Sequence, residues 1–215
     1  ELAEGIILAT SKKPNQSYID YCKDMTELHG VDRDQKISQM ETMPYYWARR
    51  EFRNPPERAI SFAYAFMGIR IQCAQCHHHP SERWSQADYY GLAAVFGRVG
   101  RKGGFADAEV PTDEIIYVKQ AGRIVHPRTG ETMKPRPLGG PDFKLGMYQD
   151  PRQNLAKWMT SKQNPFFAKA MANRMWGHFL GRGIVHPIDD SRSTNPPSNP
   201  ELLAELAREF ADSDY

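Results

Sequence analysis

Asn54-Pro55-Pro56-Glu57-Arg58-Ala59-Ile60-Ser61-Phe62-Ala63-Tyr64-Ala65-Phe66-Met67-Gly68-Ile69-Arg70-Ile71 runs directly into Gln72-Cys73-Ala74-Gln75-Cys76-His77-His78-His79-Pro80. Proline is favoured at a first helical position because its missing N–H would be unpaired there anyway. Ile60, Ala63, Tyr64, Met67 and Ile71 then recur at helical spacing, which predicts a helix from the proline pair to the cysteine–histidine cluster. Pro80 stops it.

Further helices follow from the same signals. Ser85 to Asp88 reads as an N-cap with an acidic first turn, opening a helix with Tyr89, Leu92, Ala93 and Phe96 on one face. Asp150-Pro151 opens another, through about Ser161, and Asn164-Pro165 a third that closes at Gly181. Asn199-Pro200 opens a fourth with Leu202, Leu203, Leu206 and Phe210. Segments 1–10 and 16–43 read as short helices. Gly97 to Gly104 reads as a basic, glycine-rich loop, and Glu114–Lys119 with Arg123–His126 as a hairpin around Gln120-Ala121-Gly122. The stretch from Pro127 to Pro141 reads as a linker. The expected fold is therefore mainly α, with irregular helical domains, one small β-hairpin and long loops. Its parts are a helical region at 1–105 carrying the cysteine–histidine cluster, a hairpin and Pro/Gly-rich linker at 106–149, and the start of a second helical domain at 150–215.

Composition limits the function classes. The 215 residues carry 28 Lys+Arg against 26 Asp+Glu, a net charge of +2 that argues against a dedicated nucleic-acid binder. Aromatics at 11% exclude a disordered chain, and three Cys exclude a disulfide-stapled scaffold. No run approaches the roughly 18 apolar residues of a membrane span. The chain has no initiator Met and no signal peptide, which leads to the expectation of a processed form or a piece of a longer protein.

Two of the three Cys and three of the seven His lie within Cys73–His79. Cys-x-x-Cys-His is the pattern of c-type haem attachment, and on this composition chance would place it in about one chain in a thousand. The chemistry needs this spacing. On a helix, Cys73 and Cys76 lie one turn apart, so both thiols can meet one porphyrin edge and bond its two vinyl groups. His77 then turns its imidazole under the iron as the proximal ligand. Phe62, Phe66 and Met67 would supply apolar cover. Two residues of extended chain span only about 7 Å, so His79 cannot be the sixth ligand of an iron whose fifth is His77. His178, beside Met171, Met175 and Trp176, is the leading sixth-ligand candidate, with His29, His126, His186 and several Met as others. The alternative is a structural zinc site of Cys73, Cys76 and His79, completed by Cys22 or His29. A cysteine pair with no metal is the third reading.

Other features read more plainly. Arg98, Arg101 and Lys102 read as a solvated loop, since no aromatics interleave for base stacking. Asp189-Asp190 reads as a turn and helix-capping pair, Cys22 as a small buried residue, and Trp47, Trp84, Trp158 and Trp176 as core anchors.

The stretch Phe66 to Pro80, with its continuation Arg83 to Phe96, resembles the planctomycete-specific cytochrome-like family of unknown function. Asn164 to Ala168, Asn173 to His178, Gly181 to Val185, Asp189-Asp190 and Asn195 to Leu203 resemble the companion domain that follows it in the same proteins. The resemblance spans about residues 40 to 215. It implies a secreted or periplasmic protein, normally much longer and often carrying a separate cytochrome c domain. The expectations are a mono-haem electron-transfer module with haem c on Cys73, Cys76 and His77 and redox proteins as partners, assembled outside the cytoplasm. A non-enzymatic scaffold around zinc is the alternative, and a haem peroxidase a weaker one.

Overall fold

In the computed structural model, which describes residues 2–13, 15–28, 32, 54–103 and 114–215, the chain is mainly α. Seven α-helices occur among the described residues: α1 Leu2–Leu8, α2 Tyr18–Glu27, α3 Pro55–Met67, α4 Gln86–Val95, α5 Pro151–Met159, α6 Phe167–Leu180 and α7 Pro200–Asp212. Strands β1 Val99–Lys102 and β2 Ile115–Val118 pair antiparallel, and a 3-10 turn, Gln72–Gln75, lies between α3 and α4. Of the helices expected over 16–43, α2 is observed; His29 and Trp47 lie outside the described residues.

The helix starts follow local chemistry. The Asn54 side chain accepts the Glu57 N–H at 2.9 Å while the Glu57 carboxylate accepts the Asn54 N–H at 3.3 Å. Ser85 and Asp88 repeat this reciprocal box at α4, with distances of 3.1 and 2.8 Å. Each box satisfies two N–H groups that the first turn would leave unpaired. Asp150 and Asn199 cap α5 and α7, each followed by proline.

Helix α3 does not reach the cysteines. It ends at Met67, because Gly68 takes φ +65° and closes the last turn by donating its N–H to the Ala63 carbonyl. Ile71, expected on the helix, instead precedes the 3-10 turn. The hairpin also differs in its partner. β2 lies where Glu114–Lys119 was expected, but it pairs with Val99–Lys102, in register Val99 with Val118 and Lys102 with Ile115. Arg123–His126 leaves the sheet; Val125 bridges Thr132 instead. Gly122 passes so close to Gly97 that a Cβ there would overlap the Gly97 carbonyl.

α4 is the central helix. Gly91 through Val95 are buried in succession, as in a helix covered on several sides rather than one with a wet face. It packs against α3, the 3-10 turn and α5. The main core joins Phe62, Met67, Tyr89, Leu92 and Phe96 to Leu155, Trp158, Met159 and Phe167, so the helical blocks before and after residue 106 share one apolar interior. The stretch read as a linker contributes to it: Leu138 is fully buried and Arg136 pairs with Asp88 at 2.8 Å. Two buried arginines tie segments together. Arg152 donates to the Ile7 and Ala9 carbonyls at the end of α1 and pairs with Asp150, while Arg58 donates to Val99. Guanidinium charge beside C-terminal carbonyls is favourable, which offsets part of the cost of burying it. Among the described residues no helix is long and apolar enough to cross a membrane.

A shared interior predicts shared unfolding. Phe167→Ala, which empties a site between α3 and α6, is expected to cost about 3–5 kcal/mol. It should shift one cooperative transition, seen alike by calorimetry and near-ultraviolet circular dichroism. Two separated transitions, with only one moved by the substitution, would show that the blocks fold independently.

Candidate functional site

After Gly68 the chain runs extended through Arg70 and then winds through a single 3-10 turn at Gln72–Gln75. Ala74 points inward and is fully buried, which leaves Cys73 and Cys76 on the outer side. Both thiols are free and exposed. The turn is fixed from the α4 side: the Gln86 side chain and the Tyr90 hydroxyl both donate to the Gln75 carbonyl, at 2.8 and 3.4 Å.

The three histidines that follow are not equivalent. The His77 ring is exposed, and its Nδ1 lies 2.6 Å from the His78 carbonyl oxygen. A carbonyl only accepts, so Nδ1 carries the proton and Nε2 keeps its lone pair. His78 Nδ1 accepts the Gln86 N–H at 3.4 Å, and His79 Nδ1 accepts the Ser81 N–H at 3.3 Å. In neutral His78 and His79 the proton therefore sits on Nε2. His79 is also buried, its backbone N–H donating to the Trp84 carbonyl at 2.8 Å. Of the three, His77 is the one that offers an outward Nε2 lone pair.

The remaining predicted site residues are scattered. His178 is exposed at the end of α6, its ring edge-on to Phe179 at 5.1 Å. Met175 beside it is half exposed, and Met171 and Trp176 pack partly into separate apolar clusters. No hydrogen bond or ring contact among the described residues joins His178 to the turn. His126 accepts the Arg128 and Thr129 N–H groups through Nδ1. Cys22 is half-buried rather than buried and belongs to the cluster around Tyr21, Met25 and Ile115. Phe62 and Met67 serve the main core. Among the described residues no group of three or more His, Cys, Asp and Glu side chains is gathered to hold a metal ion.

Sequence reasoning missed the loop that braces the turn. Asp189 and Asp190 are buried but cap no helix. Asp189 turns the chain at φ +62° and pairs with Arg174, while Asp190 pairs with Arg70 and Arg192. The signal was there as charge pattern: two adjacent acids and three arginines in an otherwise balanced chain. Chain distance hid the pairing, since Arg70 and Asp190 are 120 positions apart.

Residues 20–101 match PSCyt2, a protein of unknown function (DUF1549). Residues 151–215 match PSD1, a protein of unknown function (DUF1553). The chain pairs these two domains. No curated protein and no solved structure matches it. The cysteine turn lies in the DUF1549 stretch, and the Asp189–Asp190 loop lies in the DUF1553 stretch.

Two measurements follow. A thiol-specific disulfide reagent should modify Cys73 and Cys76 rapidly without denaturant and Cys22 slowly; Cys22→Ser should remove the slow phase alone. Tyr89, fully buried, has its phenol pushed above its ordinary value of 10.0, first by burial and then by Tyr90 and Cys76. The folded state holds that proton after the unfolded state has lost it, so stability is complete below about pH 10 and falls as pH rises further. Denaturant titrations across that range should show this decline, and Tyr89→Phe should flatten it.

Proposed function

We propose that the DUF1549 region is a c-type haem attachment site and the chain an electron-transfer module of an extracytoplasmic protein. In this reading Cys73 and Cys76 would hold the porphyrin by adding their S–H groups to its two vinyl substituents, and His77 Nε2 would ligate its iron. The group, when bound, would supply one-electron chemistry for redox protein partners.

The tautomer of His77 carries the reading. A ligating imidazole needs a lone pair at one nitrogen and gains basicity when the other donates to a carbonyl. His77 has this arrangement within its own turn, with Nδ1 directed to the His78 carbonyl. The two thiols beside it are exposed and unpaired, as attachment requires. The zinc reading relies on His79, which would have to release the Ser81 N–H before Nε2 could bind a metal. His178 stays the proposed second axial ligand, on the exposure of its ring. Attachment of haem to translocated chains sets the expected compartment.

The test is expression with export into a compartment that has haem-attachment machinery. A pyridine haemochrome spectrum of c type, retained after acid–acetone extraction, is expected. It should become single-thioether in Cys73→Ala or Cys76→Ala and vanish in the double variant. His77→Ala should lower attachment and shift the Soret band. His178→Ala should let cyanide bind without a preceding ligand-release step. Protein free of haem, with one zinc per chain by metal analysis, would overturn the haem assignment.

A further inference from the structure

The cysteines sit on and just after four residues of 3-10 helix, Gln72–Gln75, with both thiols and His77 exposed, so burial does not hold those groups in place. α4 holds the middle of the turn at the Gln75 carbonyl and the buried Ala74, and the chain on either side is gripped by one loop of the DUF1553 region. Before the turn, the Ser191 N–H donates to the Gly68 carbonyl at 2.9 Å. Arg70 Nε donates to the Asp189 carbonyl at 3.4 Å and lies 3.5 Å from Asp190 Oδ1. After the turn, Ser193 donates its N–H to Glu82 Oε1 at 2.5 Å and its hydroxyl to the Ser81 carbonyl at 3.0 Å, with Glu82 Oε1 also within 2.8 Å of that hydroxyl.

The loop is itself anchored at its two aspartates. Asp190 is 3% exposed and is fixed by Arg192 at 2.8 Å, and its carbonyl accepts the Asn195 side chain at 2.9 Å. Arg174, on α6, holds Asp189 at 2.8 Å. The two aspartates are buried and charge-paired, and removing either partner would leave the other charge uncompensated, whereas Ser191, Arg192 and Ser193 lie exposed at the surface. One loop therefore grips the chain both before and after the exposed turn.

We propose that the Asp189–Ser193 loop is a positioning element of the Cys73–His77 turn beside α4, with Ser193 and Asp190 as positioning residues. The DUF1549 turn reaches its working thiol geometry only with the DUF1553 loop in place. This supplies a physical reason for the two regions to share one chain, and it holds with or without an attached porphyrin.

The test uses the whole chain, free of haem, on a Cys22→Ser background. It is equilibrated in glutathione buffers, and the thiols are trapped and counted by mass. One S–S bond forms between Cys73 and Cys76 while the S–S bond of one glutathione disulfide breaks, releasing two glutathione thiols. The equilibrium constant reports how the turn holds its sulfur atoms. Ser193→Ala and Glu82→Ala, which removes the acceptor, should each move it by about fivefold, the scale of one hydrogen bond. Their double variant should be non-additive, because the pair acts as one contact. Ser193→Thr, which keeps the hydroxyl, should return the constant to within about twofold of the parent. Constants within about twofold of the parent in every variant would overturn the proposal, whether or not the thermal midpoint falls. If Ser193→Ala fails to fold, Glu82→Ala carries the same decision. The readout needs no haem, so failure of haem attachment leaves this result standing.

Discussion

Gly68 is the residue on which the site depends. An L residue with a side chain pays steric strain at φ +65°, whereas glycine takes it freely, and this conformation stops α3 at Met67. Its carbonyl then points away from the helix and accepts Ser191 from the second region. If α3 continued, Cys73 and Cys76 would ride on a long amphipathic helix, and Arg70 would not meet Asp190. One backbone conformation thus releases the cysteines into a turn and creates the docking point for the loop that braces it.

Hydrogen bonding then divides three adjacent histidines into different chemical roles. All three share a residue type, yet their Nδ1 atoms meet a carbonyl, a helix-start N–H and a loop N–H. The partner decides which ring nitrogen holds the proton, and so which nitrogen is open to a ligand. His79, turned inward against Ser81 and Trp84, serves the shape of the loop. His77, turned outward with its proton fixed, is the residue suited to chemistry.

The shared core has a consequence for the site. α4 lies under the turn and is packed by α3 on one side and α5 on another, so the platform for Gln75 and Ala74 includes side chains from both matched regions. Buried Arg152 links α1 to α5, and buried Arg58 links α3 to β1, each by donating to main-chain carbonyls across large sequence separations. Guanidinium groups suit this use because one fork can satisfy several acceptors at once.

Local chemistry was legible in the sequence. The proline and capping signals located the starts of α3, α4, α5 and α7 because a helix start is decided by a few neighbouring N–H groups and the side chains beside them. The matched domain pair and the Cys-x-x-Cys-His grouping were legible for the same reason, being patterns of adjacent residues. The tertiary structure alone decided the rest. Gly68 ended a helix whose apolar period continued past it, since periodicity is a weak signal against a left-handed glycine cap. Val99–Lys102 became a strand because β2 lay beside it, and a strand's partner is not written in its own residues. The inward turn of His79, the outward turn of His77 and the grip of Asp189–Ser193 on Gly68, Arg70 and Glu82 all depend on groups far apart in the chain. Spacing can name the residues of a site, but which nitrogen carries a proton, and which segment holds the turn still, is set by what packs against it.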